Sequence, residues 1–278
     1  MDVGVAPWAR PWNTKAHHNY VTGRCYRGIN PLLLSMRVMD KELPETGWLT
    51  YRQASAAGGQ VRKGEKGSLV TFFKMVKDKN EEVDGNGNIK MYPMLRHFIV
   101  FNEEQIDGLP EKETIVLKPE DIEATIKEKA LLILNRSEAE IVIGGDRACY
   151  RPSTDKIHMP QIEDFNIQDG ASHWWETAFH ELIHWTGGKS RIDRLPNFPS
   201  HSERSYEELI AELGASYLCA AVGIASELQH ADYIASWLEA LNNDKRFIFR
   251  AAAEVQKAAD FLLEKAGLLE LVDFEDAA

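Results

Sequence analysis

The chain contains 278 residues, of which 44% are hydrophobic and 27% are charged, and it carries a formal net charge of −11. This composition excludes an intrinsically disordered protein, and the length is sufficient for two domains with separate cores. No stretch approaches the roughly 18 apolar residues of a membrane span and no cysteines are closely paired, so we expect a cytoplasmic protein with no membrane partner.

The front of the chain predicts a small α+β module. Leu32–Met39 predicts a helix with Pro31 at its first turn. Residues 68–75 and 91–101 are rich in β-branched and aromatic side chains and predict strands. The turn-rich segment 84–88 between them joins these strands into a predicted long hairpin.

Charge is distributed unevenly along the chain. Residues 1–102 contain 15 Lys and Arg against 9 Asp and Glu, a net of +6, whereas residues 103–278 contain 17 against 34, a net of −17. A charge run is most often a solvated face. A basic module beside an acidic one nevertheless favours a polyanion as the partner of the front half.

The second half begins after an acidic stretch from about residue 102 to 119 that Gly and Pro interrupt, and we place the domain linker there. The predicted domains are residues 1–110 and 111–278. Beyond the linker, the pattern predicts a helix followed by three short strands. These elements are a helix over 120–135 and strands over 140–143, 148–150 and 156–159.

The segment His180-Glu181-Leu182-Ile183-His184 is the most specific motif in the sequence. On a helix, the two histidines lie one turn apart on one face and can bind the same metal ion. Glu181 is then placed to act as general base toward a metal-activated water. The alternative is a pair of hydrogen-bonded core histidines, which is the commoner fate of any single histidine.

A third ligand is expected on the next amphipathic helix, predicted over residues 205–215, where Glu208 and Glu212 share one face. This helix resembles the third-ligand helix of gluzincin metallopeptidases, which implies that Glu208 binds the metal and Glu212 orients a ligand imidazole. Ser205 and Glu208 also form a capping-box pattern, and in that case Glu212 would be the ligand. The expected ion is Zn²⁺, although Mn²⁺, Co²⁺ or Ni²⁺ can occupy such ligands.

Further helices are predicted over about 226–241 and 244–265, with Gly267 ending the second. A strand just ahead of the metal-binding helix is where zincins keep the edge that pairs with an extended substrate. We therefore predict that Ile157 and His158 lie on the substrate edge strand.

Strings in both halves of the sequence carry a family resemblance. They are YRGIN (26–30), WLTY (48–51), GGQVRKGEKG (58–67), VFN (100–102), HELIHWTG (180–187) and EELIAE (207–212). With these strings the chain resembles the ArdC-type antirestriction proteins of conjugative plasmids and phages. The resemblance implies an N-terminal single-stranded-DNA-binding domain and a mostly helical, zincin-like metallopeptidase domain. It also implies that the protein shields incoming plasmid or phage DNA from host restriction.

The residues of the front module support single-stranded DNA as the partner, because aromatic rings stack on bases and basic side chains bind phosphates. The residues predicted to contact DNA are Arg27, Trp48, Tyr51, Arg52, Arg62, Lys63 and Lys66. About half of the front module's aromatic residues are expected to be core instead. Binding at the loop from Arg62 to Lys66 should depend steeply on salt and show little sequence preference.

These inferences combine into one functional hypothesis with two rivals. The favoured hypothesis is an antirestriction protein that binds single-stranded DNA and hydrolyses a protein or peptide substrate, with host restriction machinery as one candidate. One rival is a zinc-dependent protease whose DNA binding only localises it. The other is a DNA-binding protein with a purely structural metal site.

Overall fold

The structure is a computed structural model that describes residues 16–43, 46–77, 82, 83, 85, 87–110, 119–165, 170–195, 200–224 and 246–269. Within these ranges, no helix has the length and apolar character needed to cross a membrane. The chain divides into two compact units. Of the described residues, those within 17–26 and 37–110 form the N-terminal unit, and residue 16 together with those within 27–36 and 119–269 forms the C-terminal unit.

The predicted α+β fold class is confirmed, with a sheet in the N-terminal unit and mostly helices in the C-terminal unit. The predicted domain boundary between residues 110 and 111 stays a prediction. The predicted helix over 226–241 lies outside the described residues.

A four-stranded sheet forms the centre of the N-terminal unit. Its strands are β1 (His18–Asn19), β2 (Gly47–Thr50), β4 (Ser68–Lys77) and β5 (Met91–Asn102), in the order β1-β2-β5-β4. Strands β4 and β5 are the predicted hairpin, paired antiparallel from Ser68 opposite Val100 to Lys77 opposite Met91. A second, two-stranded antiparallel sheet consists of β3 (Gln60–Val61) and β6 (Ile106–Asp107).

Helix α1 (Asn30–Lys41) contains the predicted helix, and helix α2 (Tyr51–Ala56) follows β2 directly. The start of α2 is fixed by a capping box, because the Thr50 hydroxyl accepts from the Gln53 amide and the Gln53 side chain accepts from the Thr50 amide. Beneath α2 lies a small core made of Leu49, Ala54, Val61 and Ile106. Strand β2, helix α2 and the small sheet therefore form one packed corner.

The C-terminal unit combines a small sheet with a helical core. Its elements are α3 (Pro119–Ser137), β7 (Glu140–Ile143), β8 (Cys149–Arg151), β9 (Lys156–Met159), α4 (Gly170–Thr186), α5 (His201–Val222) and α6 (Phe247–Ala266). The strand order is β7-β9-β8, with β9 parallel to β7 and antiparallel to β8. Ile157 and Met159 on β9 are fully buried in the same core as the apolar face of α4.

Helices α4 and α5 approach closely because Gly214 on α5 has no side chain. A Cβ at this position would lie 2.7 Å from Cδ1 of Ile183, which is itself fully buried on α4. This approach brings the α5 segment that begins at Ser205 next to the α4 segment that ends at Thr186.

Residues 27–36 pack within the C-terminal unit. Arg27 forms an ion pair with Asp260 on α6, and the Gly28 amide donates to the Gln256 side chain at 2.6 Å. The Tyr217 hydroxyl donates to the Gly28 carbonyl. Gly28 adopts a left-handed φ of 65°, which favours glycine at this turn. Much of the YRGIN string therefore anchors the chain to the helices of the C-terminal unit.

Candidate functional site

Helices α4 and α5 bring the predicted metal ligands together. Nε2 of His180 lies 3.1 Å from Nε2 of His184, and Oε2 of Glu208 lies 3.3 Å from the first nitrogen and 3.6 Å from the second. Among the described residues, these three form the cluster whose ligand atoms can hold one metal ion. Two ligands come from one turn of α4 and the third comes from α5.

The spacing of these atoms fits a metal ion. Ligand bonds of about 2.0–2.1 Å at tetrahedral angles place ligand atoms about 3.3 Å apart, close to the three observed separations. Two imidazole nitrogens and a carboxylate oxygen that face one another are all electron-pair donors. Such a group is stable when a cation lies at its centre, so these residues fit a divalent metal.

Carboxylates around His184 favour positive charge at this point. Burial alone would lower the pKa of His184, but the Glu207 and Glu208 carboxylates raise it to about 10. Burial also opposes ionisation of Glu208, yet its hydrogen bonds with His180 and His184 lower its pKa. Without a metal, Glu207 and Glu208 stabilise a proton on His184. A divalent cation bound at the cluster would take the place of that proton.

Glu207 supports His184 from behind. Its Oε1 lies 3.0 Å from Nδ1 of His184, which directs Nε2 of the ring toward Glu208. Arg194 donates two hydrogen bonds to the Glu207 carboxylate, from Nε to Oε2 at 2.8 Å and from an Nη to Oε1 at 2.7 Å. The roles of Glu207 and Arg194 were not predicted, although the adjacent acids at 207 and 208 were a signal.

Glu212 lies behind His180. Its Oε1 is 3.9 Å from Nδ1 of His180, and the residue is almost fully buried. This distance is longer than a hydrogen bond but within reach of an ion pair. The capping box that begins α5 uses Ser200 and Glu203, one turn before the predicted pair of Ser205 and Glu208. Glu208 therefore does not cap the helix and faces the two histidines.

Glu181 directly follows the ligand His180 on α4 and contacts strand β8. It is 9% exposed, and its Oε2 accepts a hydrogen bond of 2.6 Å from the backbone amide of Tyr150. One carboxylate oxygen is thus held by the protein. The other is the candidate base of the site.

A polar network holds Tyr150 in place. Its hydroxyl donates to Asp155 at 2.9 Å and accepts from Arg191 at 3.1 Å. Partial burial and the bond to Asp155 raise the pKa of Tyr150 to about 12. Arg191 also donates to the Trp185 carbonyl and lies 3.9 Å from the centre of the Trp185 ring. This network joins β8 to the end of α4.

The prediction that Ile157 and His158 lie on an edge strand is wrong. Strand β9, which contains both residues, is the central strand of the described sheet and pairs on one side with β7 and on the other with β8. Ile157 is fully buried, so it has no free edge to offer a substrate. Strand β8 lies at an edge of this sheet and contacts Glu181 through Tyr150.

Of the predicted DNA-contacting residues, one is fully buried and another is ion-paired in the C-terminal unit. Trp48 is fully buried, and its indole N–H donates to Nδ1 of His17 at 3.2 Å, so the prediction that it stacks on a base is wrong. Arg27 is ion-paired with Asp260 in the C-terminal unit. The other basic candidates belong to the N-terminal unit, and contact of Arg27 with DNA stays a prediction.

The remaining candidates lie in the N-terminal unit on or near helix α2 and the loop that follows β3. Tyr51, Arg52, Arg62, Lys63 and Lys66 are all exposed. Arg62 is not a free cation, because it pairs with Glu65 and with Asp107, each at 3.3 Å. Arg52, Lys63 and Lys66 have no ion-pair partner among the described residues.

The contacts of the acidic residues in this region were not predicted. Gln105 donates to Glu65 at 2.8 Å, and this bond, helped by Arg62, lowers the pKa of Glu65. Asp107 reaches Arg62 from strand β6, 45 positions away in sequence. No local sequence pattern predicts a contact between residues so far apart in the chain. The loop therefore carries mixed charge.

Both halves of the sequence match known families. Residues 1–101 match the N-terminal domain of anti-restriction factor ArdC, and residues 128–254 match a zincin-like metallopeptidase.

Two similar proteins are DNA primases TraC of Escherichia coli, 40% identical over 285 residues and 39% identical over 286 residues. The aligned region covers 95% of this chain in both cases but only 26% and 19% of those relatives. An uncharacterised protein of Sinorhizobium fredii, y4eC, is 34% identical over 278 residues, which cover 94% of this chain and 87% of the relative.

Two solved structures of the antirestriction protein ArdC from plasmid R388 have similar folds. The Mn(II)-bound structure has a TM-score of 0.74 and 38% identity, covering 95% of this chain and 93% of that one. The metal-free structure has a TM-score of 0.75 and 39% identity, covering 97% and 94%.

Proposed function

This chain belongs to the ArdC family of antirestriction proteins and contains a zincin-like metallopeptidase domain, and from that premise we propose two activities for it. The N-terminal unit binds single-stranded DNA. The C-terminal unit hydrolyses a peptide bond. Together they protect incoming plasmid or phage DNA from host restriction.

One observation carries the peptidase half of the proposal. His180, His184 and Glu208 direct their ligand atoms at one point, and Glu181 directly follows His180 on the same helix. A structural metal site is closed by four protein ligands, whereas a catalytic site has three and leaves one position for water. The described residues supply three, which favours a catalytic site over the rival with a structural metal.

The family implies a divalent metal, and the ArdC structure with Mn(II) shows that a relative accepts this ion. We propose that His180, His184 and Glu208 hold Zn²⁺ or Mn²⁺ in this protein. Co²⁺ and Ni²⁺ suit the same donors. When bound, the metal polarises the substrate carbonyl and acidifies a water molecule.

The residues around the ligands prepare the hydrolysis. Glu181 accepts the proton that the attacking water releases, and the Tyr150 amide keeps this carboxylate oriented. Glu207, held by Arg194, fixes the tautomer of His184. We place the substrate along β8, because this edge strand lies next to Glu181 and can pair with an extended peptide through its main chain.

The DNA half of the proposal depends on exposed residues of the N-terminal unit. Tyr51 offers a ring for stacking, and Arg52, Lys63 and Lys66 offer positive charge that no described acid neutralises. Stacking and phosphate contacts of this kind bind single strands. The activities of the longer TraC relatives are not extended to this chain, which spans only a small part of them.

The substitution Glu181→Gln tests the enzymatic half. It removes the general base and keeps the metal ligands, so cleavage of a peptide library should fall by about 10²–10⁴-fold. Metal content, measured by elemental analysis, should be unchanged. Equal cleavage by both proteins would refute the peptidase assignment.

The same variant separates the rival functions in a restriction-protection assay with plasmid DNA. Loss of protection together with loss of cleavage would make proteolysis part of the protective function. Full protection by the inactive variant would assign protection to DNA binding alone.

A further inference from the structure

A cavity of about 550 Å³ opens on the N-terminal unit. Its lining includes residues from helix α2, strand β3, the loop after β3, strand β5 and strand β6. A volume of this size is typical of sites that bind small ligands. The metal site does not use any of these residues.

Two aromatic residues form one side of the cavity. Tyr51 is 55% exposed at the first position of α2, and its hydroxyl accepts a hydrogen bond of 3.2 Å from the Gln60 side chain. Phe101 on β5 is half-buried and packs against the small core beneath α2. The capping box at the start of α2 fixes the backbone that carries Tyr51. The cavity thus presents a positioned aromatic ring.

The polar side of the cavity is not simply basic. Arg62 and Lys63 contribute positive charge, and Glu65 and Asp107 contribute an equal negative charge. Arg62 lies between the two carboxylates, 3.3 Å from each. A phosphate entering here would meet both acids. A ligand with hydrogen-bond donors as well as acceptors suits this surface better.

We propose that the cavity binds one unstacked guanine base of single-stranded DNA, an inference that rests on the proposed DNA binding of this unit. The base stacks on Tyr51. The Asp107 carboxylate accepts hydrogen bonds from guanine N1–H and the N2 amino group, and Arg62 donates to guanine O6. The phosphates of the strand follow Lys63, Lys66 and Arg52.

Guanine is favoured over the other bases by its donor pattern. It alone has two adjacent donors, N1–H and the N2 amino group, on its Watson–Crick edge, and these match both oxygens of a carboxylate. An acceptor, O6, lies beside them for a guanidinium. Adenine and cytosine offer one amino group there, and thymine offers a single N–H.

The test compares labelled oligonucleotides that differ at one base, using fluorescence anisotropy with the full-length protein. The set consists of a dT12 strand and strands with one central thymine replaced by guanine, adenine, cytosine or inosine. A bidentate contact is worth about 1–3 kcal/mol, so the guanine strand should bind about 5–150-fold more tightly than dT12. Inosine lacks the N2 amino group and should lose most of this preference.

Variants locate the contact in the cavity. Asp107→Asn should lower the ratio of guanine-strand affinity to dT12 affinity, because an amide cannot accept both hydrogen bonds. Lys63→Ala should weaken both strands alike and leave the ratio unchanged. The inosine comparison needs no variant, so it tests the proposal even if Asp107→Asn fails to fold.

The outcomes distinguish failure of the guanine site from failure of the proposed DNA binding. Equal affinity for all five strands would overturn the guanine site and leave the proposed DNA binding intact. No binding of any strand at low salt would overturn both. Free guanosine monophosphate should bind at least ~10-fold more weakly than the guanine strand, because it lacks the flanking phosphate contacts. Equal affinity would overturn the assignment to DNA.

Discussion

The proposed metal site and the cavity of the N-terminal unit are assembled in opposite ways. The metal site takes two ligands from one helical turn and a third from the next described helix in the chain. The cavity takes its residues from positions between 51 and 107, across several strands, one helix and a loop. A site built on adjacent helices can be recognised from spacing. A site built by pairing distant strands requires the fold.

The largest expected effect concerns the third ligand, where Glu208 and Glu212 were both candidates. Glu208→Gln should reduce metal affinity by more than the ~10–100-fold that losing a supporting residue costs. Glu212→Gln should stay within that range, because its carboxylate lies behind His180 and not at the convergence point. Titration with Zn²⁺ against a chelating indicator measures both. A larger loss from Glu212→Gln would show that the ligand was misassigned.

In the N-terminal unit, the buried pair of His17 and Trp48 predicts a pH effect on stability. Burial, together with the neighbouring His18, lowers the pKa of His17 from 6.5 to about 4. Between these values the unfolded chain binds the proton and the folded chain does not. Stability should therefore fall as pH decreases through this window, by up to ~3 kcal/mol.

Denaturant unfolding at pH 7 and pH 4.5 measures this change. The variant His17→Asn cannot take up the proton and should show a smaller loss between the two conditions. The same pH dependence in both proteins would assign it to other groups.

A smaller effect is expected at the residue behind His184. Glu207→Gln weakens the hydrogen bond to Nδ1 and leaves Arg194 without its charged partner. Metal affinity should fall by about 10–100-fold, with full occupancy restored at saturating metal. Glu203→Gln is the matched control, since it removes one charge from the first turn of the same helix. Equal effects of the two substitutions would mean that Glu207 does not position the ligand.

The smallest expected effect concerns the contribution of Lys63 to single-stranded DNA binding by the N-terminal unit. Removing Lys63 should reduce the slope of log affinity against log salt by about 0.7 for a single strand. Lys90→Ala is the control, because Lys90 is already paired with Glu82 at 2.7 Å in the β4–β5 connection. Salt titrations of dT12 binding measure both slopes. An unchanged slope for Lys63→Ala would exclude this lysine from the phosphate path.

Sequence reasoning succeeded where structure is local. The spacing of His180 and His184 fixed their relation on α4, and the hairpin of β4 and β5 followed from two strand-like runs around a turn. The third ligand needed a resemblance to other metallopeptidases, because nothing in its local pattern separated Glu208 from Glu212. In the structure their contacts separate them, because Glu208 lies near Nε2 of both histidines whereas Glu212 lies 3.9 Å from Nδ1 of His180.

The wrong predictions concern features that depend on contacts between residues distant in sequence. Strand β9 was predicted to be an edge strand because, of the three strands, it comes closest before helix α4 in the sequence. In the sheet, however, β9 lies between β7 and β8, and β8 is at an edge. Trp48 resembled an exposed stacking residue because aromatic side chains serve cores and surfaces alike. The pairing of Arg62 with Asp107 was not predicted, because the two residues are 45 positions apart in sequence.

The segment from Arg27 to Met36 also affects how the protein can be divided into fragments. It lies within the part of the sequence that matches the ArdC N-terminal domain, yet it packs in the C-terminal unit through contacts to Asp260, Gln256 and Tyr217. A peptidase fragment that begins after the linker would leave Ala252 uncovered by Ile29 and Leu32. Exchanging front halves between relatives would thus also replace residues that pack in the core of the C-terminal unit.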